Sequence, residues 1–211
     1  MTSELAATAG LSLYILGLLV TFGVRTWAHH QATGSSGFRG LSGRPGSAPW
    51  WGGVLFAAAL VLTALGLVLA ATGAVPAVPL SAAVVWAGLV VALTGFVAVV
   101  LAQSGMGTSW RIGVDPTEHT ALITGGLFAI ARNPIFTAMC AALAGLVVMT
   151  PTVLTVAGLV CLVVAVQLQV RVVEEPYLLA THGETYAAYA ARVGRFVPGV
   201  GRLHTSNPVV R

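Results

Sequence analysis

Lysine is absent from this chain, and charged residues of every kind fill only 8% of its 211 positions. A soluble domain carries about a quarter of its residues as charges, so a water-exposed globule is excluded. The net charge of +4 therefore comes from arginine alone. These arginines sit in connecting segments, where they read as membrane-topology signals and not as a nucleic-acid patch. Cysteine is nearly absent too. Cys140 and Cys161 both lie inside apolar runs and read as small packing residues that carry no redox information. No HExxH or CxxC framework occurs, and His119 and His182 lack ligand spacing on a shared helix face, so no metal site is expected. A GxSxG nucleophile elbow is missing as well, which removes the serine-hydrolase class.

Hydrocarbon takes the place of charge: 57% of residues are hydrophobic and the mean hydropathy is +0.91. Apolar runs cover Leu5 to Thr26, Trp51 to Thr72, Ser81 to Ala102, Ile135 to Met149 and Val153 to Val170. Runs of about 20 residues match the bilayer core, so the expected fold is all-α: a polytopic membrane protein with about five transmembrane helices and a cytoplasmic C-terminal helical tail. The fourth run is short, about 15 residues or roughly 22 Å of helix against a ~30 Å core. It either thins the bilayer or forms a re-entrant hairpin with the fifth. The first run is not expected to be a cleaved signal peptide, because no arginine or lysine precedes it.

The connections sort by charge. Arg25, Arg39 and Arg44 flank or occupy the first; Arg111 and Arg132 lie in the third; Arg171, Arg192, Arg195, Arg202 and Arg211 follow the last run. Gly73 to Leu80 and Thr150 to Thr152 carry no charge. The positive-inside rule then predicts an external N-terminus and a cytoplasmic C-terminus in the cell's inner (plasma) membrane. Trp27, Trp50, Trp51 and Trp110 fall near the predicted interfaces, as anchoring aromatics do. Two regions are expected: 1–102, with three spans, and 103–211, with the last hairpin, the tail and the chemistry.

Polar residues gather in two stretches, His119 to Phe136 and Arg171 to Pro198. Pro134 suits the first turn of a helix, whose N-terminus beside Arg132 favours an anion; the bland alternative is that Arg132 snorkels to lipid phosphates. Thr124, Gly125 and Gly126 read as a tight loop that a ligand could approach. In a regular helix Arg171 lies three and four residues from Glu174 and Glu175, as a surface ion pair would require. Adjacent carboxylates at a membrane boundary also suit a cationic ligand, and Pro176 withholds a donor from the Val172 carbonyl beside them. Gly183 ends that element, and Glu184 to Val193 predicts a short helix with Tyr186 and Tyr189 on one face, as packing aromatics or as ligand walls.

These stretches resemble the C-terminal signature of membrane methyltransferases typified by isoprenylcysteine carboxyl methyltransferase and the phospholipid N-methyltransferases. The family pattern of His, Leu-x-Thr-x-Gly-Pro-Tyr and Arg-His-Pro-x-Tyr is similar to His119, Leu122, Thr124, Gly126, Leu127, Phe128, Arg132, Asn133, Pro134 and Phe136. Its second part is matched by Arg171, Glu174, Glu175, Leu178, Gly183, Tyr186, Tyr189, Arg192, Val193, Arg195, Phe196 and Pro198. The chain departs at Leu127 for proline, Phe128 for tyrosine, Asn133 for histidine and Phe136 for tyrosine. The resemblance implies S-adenosylmethionine as cofactor, bound between the last helices and the tail. It also implies a lipophilic acceptor, small or prenylated, that reaches the site from the membrane lipids; no obligate protein partner is evident.

By the same resemblance, Arg132, Arg192 and Glu174 carry the chemistry. His119, Leu122, Thr124, Gly126, Asn133, Pro134, Glu174, Glu175, Tyr186 and Tyr189 form the cofactor site. Glu174 and Glu175 stand near the cofactor's cationic parts, and Arg132 and Arg192 near a carboxylate of cofactor or acceptor. Asn133 cannot titrate, which favours an acceptor that is already ionised. Two other classes stay open: an NADPH-dependent sterol-type reductase, with Arg132, Arg192 and Arg195 on the phosphates, and a membrane protein that is not an enzyme.

Overall fold

The computed structural model describes residues 2–37, 43–109 and 121–203; Arg39, Trp110, Arg111, His119 and Arg211 lie outside them. Helices build all of the regular structure there. Helix α1 (Ser3–Leu18) passes through a wide π turn (Leu19–Val24) into α2 (Arg25–Thr33); α3 (Ala48–Ala71), α4 (Ala82–Gly105), α5 (Pro134–Met149) and α6 (Val153–Leu168) follow. A second π turn (Gln169–Glu174) then leads into α7 (Glu175–Arg192). Four continuous helical stretches among the described residues are long and apolar enough to cross a membrane, at Ser3–Thr33, Ala48–Ala71, Ala82–Gly105 and Val153–Arg192. Helix α5 is shorter, at 16 residues. The all-α expectation is met: the first and fifth predicted runs lie within the longer helical stretches Ser3–Thr33 and Val153–Arg192, and the other three correspond to α3, α4 and α5.

Short polar residues set the starts. Ser47, Ser81 and Thr152 each accept a hydrogen bond from a backbone N–H in the first turn of α3, α4 and α6. At Thr152 the exchange is reciprocal: Thr155 N reaches Thr152 Oγ1 at 3.1 Å and Thr152 N reaches Thr155 Oγ1 at 3.0 Å. Such a reciprocal cap satisfies two orphan donors at once, which matters beside a lipid phase that offers no partners.

Small residues decide the packing. The buried face of α4 runs Val85, Gly88, Ala92, Gly95, Val99 and Ala102, alternating steps of three and four as a heptad seam does. Helix α5 lies along it so closely that a Cβ on Gly145 would strike the Ala92 backbone nitrogen. Helix α3 pairs with α6 in the same way, and a Cβ on Gly158 would strike Thr63 Oγ1. Where lipid is as apolar as leucine, burial of hydrocarbon gives no preference for protein over lipid, so such close contact is what holds helices together. Helix α1 covers α3 and touches α4 and α5, and the Tyr14 hydroxyl donates to the Leu60 carbonyl at 2.9 Å.

The bundle has two unlike ends. At one, Val78 N donates to Pro151 O at 3.0 Å, joining the two charge-free connections, and Glu4 lies beside Gly73. Chain direction carries every described arginine to the other end. There Arg25 Nη2 donates to Gly107 O at 2.6 Å, and the buried Gln103 amide donates to Thr21 O at 3.1 Å within the first π turn.

Candidate functional site

The two polar stretches meet at the arginine-bearing end. A 3-10 turn (Gly126–Ala129) leads to Ala131, which forms a parallel bridge with Gly194. Next to it, Arg132 N donates to Gly194 O at 2.9 Å and Asn133 N to Arg195 O at 3.1 Å. Gly194 must be glycine, because a Cβ there would strike the Val197 carbonyl. The tail beyond α7 therefore folds back against the start of α5 and continues to Leu203, whose N–H donates to Ala190 O at 3.0 Å.

This fold-back brings Arg132, Glu175 and Arg195 together. Arg195 grips Glu175 in a two-bond fork, Nε to Oε1 and Nη2 to Oε2, both at 2.8 Å. Arg132 Nη2 also reaches Glu175 Oε1, at 2.9 Å, and donates to Gly201 O at 2.8 Å. Hydrogen bonding to Glu175 holds the Arg195 guanidinium proton more firmly than usual, against the opposing effect of its partial burial. The Arg132 side chain is 1% exposed. Its Nε and Nη1 are buried without a hydrogen-bond partner. Two cations thus face one carboxylate, with two arginine donors unspent, and a buried donor left unsatisfied costs ~1 to 3 kcal/mol, more when it is charged. An anion, above all a carboxylate, is the chemistry that removes this cost.

Aromatic walls stand beside it. The Arg132 guanidinium carbon lies 5.9 Å from the centre of the Tyr186 ring, within cation–π range. Tyr186 and Tyr189 are both buried and meet edge to face at 6.1 Å. The Tyr189 hydroxyl donates to the Phe128 carbonyl, and Leu122, Leu178, Val193 and Leu203 pack around the pair. Gly183 bends α7 just before the tyrosines with φ 49° and ψ −125°, a conformation that an L side chain strongly disfavours.

Other candidate residues fall around this centre at varying distance. Pro134 is buried at the first turn of α5, and the Asn133 amide donates to Arg195 O at 3.0 Å. Glu174 is half-buried, with Gln169 Nε2 3.5 Å from its Oε1. Thr124 is exposed before the 3-10 turn, and Gly126 is exposed at its first position with φ +59°. Arg192 is exposed at the end of α7, outside the cluster. The ion pairing expected on one helix face differs: Arg171 turns to Gln167 at 2.7 Å, while Glu175 serves Arg132 and Arg195. The cause is the second π turn, in which the Glu175 N–H bonds the Val170 carbonyl five residues back. A wide turn rotates the later residues away from regular helical register. Sequence reading did not select the Gly201 carbonyl, although the Gly199-Val200-Gly201 run is a turn signal.

A family model described as phospholipid methyltransferase matches residues 83–185, a little less than half of the chain. The matched part begins in α4, holds Arg132, Glu174 and Glu175, and stops just before Tyr186. No curated protein and no solved structure matches the chain.

Proposed function

We propose that this membrane-embedded protein is a methyltransferase that uses S-adenosylmethionine to methylate a lipophilic acceptor held in the bilayer. One observation carries the reading: Arg132, inside the region similar to phospholipid methyltransferases, is buried with Nε and Nη1 unpartnered beside a tyrosine wall. When bound, S-adenosylmethionine supplies a methyl group already activated by its sulfonium, so the protein's share is alignment, dehydration and placement of charge. Arg132 offers an anion, such as a carboxylate, the spare N–H groups of Nε or Nη1, which point to different sides of its guanidinium. Tyr186 and Tyr189, both buried, exclude water from its flank. Glu174, half-buried at the edge of the cluster, is the carboxylate that this reading sets near a cationic group of the cofactor.

The acceptor favoured is one that ionises by itself, a carboxylate or an acidic hydroxyl on a lipophilic molecule. The Asn133 amide does not titrate near neutral pH, and it is engaged with the Arg195 carbonyl.

Calorimetry on the detergent-purified protein tests the cofactor, with NADPH titrated alongside. Saturable binding of S-adenosylmethionine and none of NADPH is expected, as is transfer of labelled methyl into a membrane lipid extract. Binding of NADPH alone, or of neither, overturns the reading.

A further inference from the structure

Asn133 precedes α5 but does not cap it, since its side chain makes no bond to the first turn. Its Nδ2 and its backbone N–H both donate to the Arg195 carbonyl, at 3.0 and 3.1 Å. One turn further on, the Thr137 hydroxyl donates to the Phe196 carbonyl at 2.9 Å. The start of α5 thus grips the tail at two successive residues, the first of which is the arginine that forks Glu175.

That fork matters because Glu175 has two claimants. With Arg195 in place, both carboxylate oxygens are occupied by its guanidinium, and Arg132 reaches Oε1 through Nη2 alone. If Arg195 withdrew, the carboxylate would turn to Arg132, because paired guanidinium–carboxylate geometry is the preferred one. A second Arg132 nitrogen would then be spent on Glu175.

We infer that Asn133 is a positioning residue: by fixing the Arg195 carbonyl it maintains the Arg195–Glu175 fork and so keeps Arg132 Nε and Nη1 available to an anionic ligand. The inference rests on the reading that Arg132 receives an anion, and it gives Asn133 a task other than titration or ligand contact.

The test uses the full chain in detergent, measuring S-adenosylmethionine affinity and amide exchange over 194–203. The variants are Asn133→Ala, Asn133→His, Arg195→Ala and the Asn133→Ala/Arg195→Ala double. Alanine should speed exchange across the tail and weaken binding about three- to tenfold, the scale of one neutral hydrogen bond. Histidine, whose Nδ1 can carry a proton at the same branch point, should restore both. If Asn133 acts through Arg195, the double variant binds no more weakly than Arg195→Ala alone. Additive losses overturn the inference, as does an alanine variant whose tail exchanges like the parent's. A parent that binds no S-adenosylmethionine removes the functional reading instead, and the exchange rates of the alanine and histidine variants then decide the inference.

Discussion

Adjacent glutamates behave differently here because one is enclosed and the other is not. Glu175 is 6% exposed and shared by two arginines. Glu175→Gln leaves the buried Arg132 guanidinium and the partly buried one of Arg195 facing a neutral amide, and breaking a buried pair costs about 3–5 kcal/mol. A clear fall in thermal stability in detergent is expected. Glu174→Gln should leave stability near that of the parent and weaken S-adenosylmethionine binding about tenfold or more, as the loss of a charge-assisted bond does. Equal melting temperatures for the two variants would refute this division of roles. Arg132→Lys tests the unspent donors: an ammonium keeps the charge but cannot hold the bonds to Glu175 and Gly201 and also offer N–H groups in the directions of Nε and Nη1, so binding should fall at least tenfold while the variant still folds. Asn133 also bears on pH. With an acceptor that is already ionised, kcat/KM should stay nearly flat from about pH 6.5 to 8.5, above ordinary carboxyl pKa values. A tenfold rise per pH unit that disappears in His119→Ala would point to base-assisted attack instead.

The elements owe their positions to steric details that a hydropathy profile does not register. Gly183 places the tyrosine-bearing half of α7 under the tail, and a Cβ there meets nothing within 4 Å, so the only obstacle to a side chain is the backbone conformation itself. Gly183→Ala should therefore cost about 1–3 kcal/mol of strain without any clash, read as a lower melting temperature with S-adenosylmethionine binding weakened in parallel. An alanine variant as stable as the parent would show that the bend is not required. The π turn at Gln169–Glu174 has the same kind of consequence. Regular helical spacing pairs Arg171 with the glutamates, whereas the wider turn lets Glu175 face Arg132 and Arg195.

Across the whole molecule, the two ends differ in charge, and that difference gives a topology to test. Described arginines gather at the end that holds the candidate site, opposite the Val78–Pro151 contact. By the positive-inside rule, a reporter fused after Arg211 is expected to be cytoplasmic and one placed before Glu4 external. Both reporters on one side would reject five crossings. The sequence by itself determined the all-α class, the places of the apolar helices and the two stretches in which polar groups collect, because length against bilayer thickness and local charge are one-dimensional properties. Tertiary structure alone decided that α3 pairs with α6 and α4 with α5, that the tail folds back onto the start of α5, and that Glu175 serves Arg132 and Arg195. Those contacts join residues far apart in the chain, and which of them form depends on where small side chains let backbones approach and where a wide turn rotates a carboxylate, neither of which is set by local sequence pattern.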